Sequence, residues 1–163
     1  MDDFILEMHH ITKRFPGVVA LQNVSFKVRR GEIHALVGEN GAGKSTLMKI
    51  LNGVYQADEG SIVLNGEQTI IRNTTEAKAQ GIGLVFQEFN LVNPLTVAEN
   101  LYINRLPRRR GRVDWKGINR EAQEFLDSLG FNFKATHKIE QLSAAQRQLV
   151  EIAKVLAIKT DLI

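Results

Sequence analysis

GENGAGKST, residues 38 to 46, is the stretch from which the rest of the chain is read. Gly38, Gly43, Lys44 and Ser45 fit the spacing G-x-x-x-x-G-K-[ST], in which a glycine-rich turn curls its backbone around anionic oxygens. From average residue usage, a chance match arises in on the order of one chain of this length in a few hundred. The spacing gains meaning when a strand leads into it and a helix leaves it. Upstream, Gly31 precedes Ile33, His34, Ala35, Leu36 and Val37, a short, mostly apolar run bounded by glycine, which predicts a strand covered on both faces. Downstream, residues 46 to 51 read as a helix that Asn52-Gly53 stops. Backbone N–H groups from Gly41 through Ala42 to Thr46 are then expected to turn inward around phosphate oxygens, and the helix start adds unpaired donors and a positive dipole end. Lys44 is expected to reach the β- and γ-phosphates of a nucleotide as a point charge. The Ser45 hydroxyl is expected to complete the coordination of a Mg²⁺ that bridges them.

Working outward, residues 5 to 11 and 24 to 28 alternate apolar and polar imperfectly, with Val24, Phe26 and Val28 on one face, as in half-buried strands. Residues 61 to 64 read as a strand closed by Asn65-Gly66, residues 75 to 80 as a short helix, and residues 82 to 86 as a further strand. This mixture predicts an α/β fold for the first half. Beyond it, Ile118, Ala122, Phe125, Leu126 and Leu129 recur at helical spacing, as do Leu149, Ile152, Ala153 and Leu156. The expected organisation is a nucleotide-binding α/β core over residues 1–87, a helical subdomain over 88–159 and the opening of a buried strand over 160–163.

The chain of 163 residues has 44% hydrophobic and 24% charged residues, enough to bury a core, which argues against disorder. No apolar run approaches the roughly 18 residues needed to cross a bilayer, and the start MDDFILEM is acidic where a secretory signal is basic, so a cytoplasmic location is expected. With Cys 0, disulfides and thiolate metal sites are excluded. The histidines (His9, His10, His34, His137) lack ligand spacing, and a net charge of +3 does not by itself argue for a nucleic-acid partner. Arg105, Arg108, Arg109, Arg110 and Arg112 form the one strong charge cluster. A solvated loop is the expected reading, with the phosphates of an anionic lipid or a nucleic acid as alternatives.

Four ordered segments, ITKRFPGVVALQNVSFKV, GEIHALVGENGAGKSTLMKILNGVY, GIGLVFQEFNLVNPLTVAENLYI and LSAAQRQLVEIAKVLA, make the chain resemble the ATP-binding subunit of ABC transporters, a P-loop NTPase. Within that family it is most similar to the importers of monosaccharides such as ribose and galactose. The resemblance implies that Phe15, in KRFPG, stacks on adenine, and that the loop residues Gly38, Asn40, Gly41, Ala42, Gly43, Lys44, Ser45 and Thr46 hold ATP. It implies that Gln87 approaches Mg²⁺ and the attacking water, sharing catalytic duty with Lys44, and links the nucleotide site to the membrane partner. From the residues alone, Phe15 reads equally as a core aromatic and Gln87 as a polar residue leaving a strand. Leu142, Ser143, Ala144, Ala145 and Gln146 stand where the family carries its LSGGQ signature, at a helix start that also reads as a capping box. In the family, that start faces the γ-phosphate bound by a second ATPase domain. Here Ala144 and Ala145 replace both glycines and add Cβ atoms where the backbone approaches phosphate. Tandem ATPase domains with imperfect signatures are usual in the sugar importers, so the departure fits an N-terminal half.

The resemblance further implies an aspartate, a glutamate and a later histidine beyond an apolar strand. The sequence reaches only DLI, where that strand begins, so a fragment of about two thirds of one ATPase domain is expected, with a gap in its core sheet and little hydrolysis of its own. For the complete protein the resemblance implies ATP-driven sugar uptake, with transmembrane permease subunits, a second ATPase domain and, indirectly, an external sugar-binding protein as partners. Its location would be the inner face of the cell membrane, with no nucleic acid expected. The rival expectations are a soluble ABC ATPase of nucleic-acid repair or translation, and a nucleotide-binding module without catalysis.

Overall fold

The computed structural model describes residues 3–86, 89–103, 106–109, 112–158 and 160–163. It divides into two units, Met1–Gly83 with Leu162, and Leu84–Asp161 with Ile163. The first is built on β1 (Phe4–Phe15), which the Pro16-Gly17 turn returns as β2 (Val18–Arg29). After helix α1 (Lys44–Leu51), β3 (Glu59–Leu64) and β4 (Glu67–Thr69) form a second hairpin through Asn65-Gly66, and α2 (Thr74–Ala79) follows. The sheet is antiparallel throughout, in the order β2-β1-β3-β4.

The imperfect alternation of β1 has a local cause. His10 adopts a left-handed φ of 54°, and the register shifts between Met8 and Ile11 against β2 and between His9 and Thr12 against β3. One extra residue there resets the side-chain period of two, so Met8 and Ile11, three apart, both point into the core. With Leu6 they pack against Leu21, Val28, Ile62, Leu64 and the α1 residues Leu47 and Ile50. Burying an apolar side chain of this size stabilises by roughly 1.5–3 kcal/mol, and this cluster fixes α1 against the sheet.

Two predicted strands differ. Residues 33–37 form no strand; Ile33 is 102% exposed and Val37 89%. An apolar run becomes a strand only beside another strand that takes up its N–H and C=O groups. Among the described residues none pairs with this one. Likewise, residues 82–86 reduce to one parallel bridge between Ile82 and Leu162, in which the Leu162 N–H donates to the Gly81 carbonyl and the Gly83 N–H to that of Leu162.

The second unit packs α3 (Val97–Tyr102), α4 (Trp115–Ser128) and α5 (Ala144–Leu156) around Val97, Ile118, Ala122, Leu126, Ile139, Val150 and Ala153. The α4 stripe sits as its spacing predicts. In α5 the buried line runs instead through Val150 and Ala153, with Ile152 half-buried and Leu156 39% exposed. Helical periodicity allows either assignment, and neighbouring elements select between them. Where the arginine cluster was expected to be loop, Arg108–Arg109 (β5) pairs with Arg112–Val113 (β6) as a short antiparallel ladder. Arg105 and Arg110 lie outside the described residues.

Candidate functional site

The stretch 38–46 folds as an exposed loop running into α1, whose N-cap is Gly43. Gly41 and Gly43 both take left-handed φ values, 87° and 85°, which side-chain-bearing residues rarely adopt. Their surroundings differ. A Cβ at Gly41 would meet nothing within 4 Å, whereas one at Gly43 would stand 2.5 Å from the Ala20 carbonyl oxygen and 2.6 Å from the Leu21 side chain. Gly43 therefore lets the start of α1 lie directly on β2. No side chain caps α1 and no acidic residue occupies its first turn. Its leading N–H groups and positive dipole end are therefore not met by a capping or acidic side chain.

Lys44 Nζ donates to the carbonyl oxygens of Gly38 at 2.6 Å and Glu39 at 2.7 Å, so the ammonium closes the loop into a ring. Asn40, Ala42 and Ser45 are exposed and Thr46 half-buried. The Ala42 N–H donates to the Glu39 carbonyl, tightening the turn.

Phe15, at the end of β1, pairs with Val18 of β2, the strand whose Ala20 and Leu21 carry Gly43. Its half-buried ring meets Tyr55 edge-to-face at 5.2 Å, and Lys13 Nζ lies 5.5 Å from the ring centroid. Asp58 holds this corner: its carboxylate accepts from Lys13 Nζ at 2.8 Å and from the Arg14 N–H at 2.6 Å. The Lys13 hydrogen bond first, and that of Arg14 second, hold the Asp58 pKa below its ordinary value. Tyr55 and Asp58 are absent from the sequence-based site. The only local signal was an aromatic and an acid soon after the Asn52-Gly53 stop.

Gln87 lies outside the described residues. In the other unit, Leu142 is buried, and Ser143 caps α5 in a reciprocal box with Gln146: the Gln146 N–H donates to Ser143 Oγ at 3.3 Å and the Ser143 N–H to Gln146 Oε1 at 3.0 Å. Ala144 and Ala145 are exposed at the helix start.

The family model described as ABC transporter matches residues 21–163. The chain belongs to the ABC transporter family. Among curated relatives, this ABC-family chain is 52% identical over 155 residues to the ribose import ATP-binding protein RbsA 1 of Rubrobacter xylanophilus, covering 95% of itself and 31% of that protein. It is 47% identical over 165 residues to the xylose import ATP-binding protein XylG of Thermoanaerobacter pseudethanolicus, covering 100% of itself and 33% of that protein. The chain thus spans about a third of the length of the curated relatives it matches. Among solved structures, it superposes on a nucleotide-free ATP-binding cassette from an ABC transporter with a TM-score of 0.81 at 29% identity, covering 96% of itself and 66% of that chain. An ADP conformation of another such cassette gives 0.82 at 28%, with the same coverage. The fold is that of the ABC ATPase cassettes, mixed α/β with a partial antiparallel sheet.

Proposed function

We propose that this chain is the nucleotide-gripping part of the ATP-binding subunit of a sugar importer, working in the complete protein with a membrane permease and a second ATPase domain. The observation that carries the reading is the loop around Lys44: a ring of backbone closed by an ammonium, at an uncapped and acid-free helix start, on a surface open to ligand. That is a donor set for a polyphosphate. A phosphate entering the loop takes over the Lys44 ammonium from the Gly38 and Glu39 carbonyls and the Ala42 N–H from that of Glu39, while the remaining N–H groups from Gly41 to Thr46 are offered to its oxygens. Ser45, exposed at the helix start, supplies a hydroxyl suited to Mg²⁺, and the ion would neutralise charge between the β- and γ-phosphates. Phe15 offers its ring to adenine from the same strand pair that carries Gly43, and Tyr55 and Lys13 fix that ring's orientation. Gln87 is assigned to Mg²⁺ and the attacking water, and Leu142 to Gln146 to the γ-phosphate of the second domain, on the family pattern.

Both relatives described above are named as import ATP-binding proteins for pentoses, which supports sugar transport over a role in nucleic-acid repair. Among the described residues no helix is long and apolar enough to cross a membrane. Co-purification from membranes tests this reading. The complete polypeptide should bring down a multi-span permease and hydrolyse ATP faster when the sugar and its binding protein are added. Recovery free of any permease, with hydrolysis stimulated by DNA or ribosomes, would contradict it.

A further inference from the structure

Inside the helical unit, a segment without regular secondary structure is held by side chains as a strand would be held by a neighbour. Asn90 has both backbone groups taken by α5: its N–H donates to the Glu151 carboxylate, and its carbonyl accepts from Lys154 Nζ at 2.6 Å. Two residues on, Val92 is treated the same way by α3. Its N–H donates to Asn100 Oδ1 at 2.8 Å and its carbonyl accepts from Asn100 Nδ2 at 3.2 Å. Leu91, between them, packs against the unit's apolar core.

Glu151 is the unusual member. It is only 5% exposed and flanked by the core residues Val150 and Ala153, where an apolar side chain would pack at no electrostatic cost. A buried carboxylate persists when its oxygens are satisfied, and here one accepts the Asn90 N–H while Lys154, one turn along α5, stands 3.7 Å from the other. Both side chains thus converge on the backbone of one residue, Asn90, from its two adjoining peptide groups. Asn100, 2% exposed, directs its remaining donor to the Thr96 carbonyl at 2.9 Å, so its amide is committed as well.

We propose that Glu151 and Lys154 are positioning residues that grip the Asn90 backbone and tie the segment following Gln87 to α5, the helix that begins at LSAAQ. This rests on the reading above, in which Gln87 and that helix start both serve the nucleotide site. A displacement of α5 would then carry Asn90 with it. The clamp contains no residue of the phosphate loop, so it sets turnover and leaves nucleotide affinity alone.

Hydrogen exchange and ATPase kinetics on the complete polypeptide, in Glu151→Ala, Glu151→Gln and Lys154→Met, test the proposal. In Glu151→Ala the Asn90 amide should exchange at least about tenfold faster, with α4 amides unchanged. Glu151→Gln keeps an acceptor oxygen and should restore most of the protection, while Lys154→Met should speed exchange by about threefold. kcat should fall in Glu151→Ala by about fivefold or more and recover in Glu151→Gln, with KM for ATP within about twofold throughout. If Glu151→Ala also exposes α4, the unit's fold has failed in that variant, and Lys154→Met and Glu151→Gln decide. Asn90 exchange unmoved by Lys154→Met and by Glu151→Ala, or a rise in KM at constant kcat, overturns the proposal. If the unsubstituted polypeptide turns over no ATP, the functional reading fails, and exchange at Asn90 alone decides whether the clamp exists.

Discussion

Lys44 bridges the loop's own carbonyls at one end of a flexible stem, and in the proposed function a phosphate takes its ammonium over from them. Lys44→Ala should therefore weaken Mg-ATP binding about 10- to 100-fold, the worth of a charge-assisted hydrogen bond or two, while thermal stability barely moves. The two left-handed glycines separate strain from packing. Gly41→Ala meets open space and should cost about 1 kcal/mol from its φ alone, whereas Gly43→Ala must also displace β2 and should cost about 2–4 kcal/mol. Melting curves of both variants check the order; an equal loss would mean that α1 does not rest on β2. Asp58 gives a pH dependence. Its carboxyl holds a proton less tightly in the fold than in the unfolded chain, so its stabilisation is present above the ordinary aspartate value of roughly 3.9 and is lost as pH falls below it. Asp58→Asn should flatten the decline of stability below about pH 4, read from unfolding midpoints across pH 3 to 7. The glycine-rich turn running into α1 was legible because its spacing is local. The Phe15 corner was not, because Asp58 reaches Lys13 across a separation of 45 residues and nothing in either neighbourhood announces the pair.

At the scale of elements, the capping box of α5 is the clearest agreement between sequence and structure, since Ser143 and Gln146 satisfy each other within a single turn. Ser143→Ala should cost about 1 kcal/mol. A cost near zero in chemical unfolding would mean that the α5 start is held by packing instead. The α4 stripe was equally readable because helix periodicity is a property of the helix itself; Leu126→Ala should cost about 2–5 kcal/mol as a core cavity. Strands were less readable. Residues 33–37 and 82–86 have strand-like composition, yet a strand is a relation between two segments, and apolar content reports only how one of them prefers to be buried. The same holds for Glu151. A charge in the midst of an apolar helical run was visible in the sequence, and its meaning depended on a backbone 61 residues away.

On the scale of the molecule, two separate apolar clusters, one around Met8 and one around Leu126, account for the division of the chain. Leu126→Ala should accelerate amide exchange in α3, α4 and α5 and leave β1 and β3 protected; uniform acceleration would mean that both cores unfold together. Ordered motifs made the family legible before any coordinate, because each needs only its own neighbours, while pairing across the sheet awaited the structure. The central claim is that the first unit grips a nucleotide through the Lys44 loop. Equilibrium binding of Mg-ATP to this 163-residue chain, with Lys44→Ala as the control, tests it most directly. Saturable binding that the substitution weakens about 10- to 100-fold is the predicted result; binding of equal strength by both chains, or by neither, would contradict it.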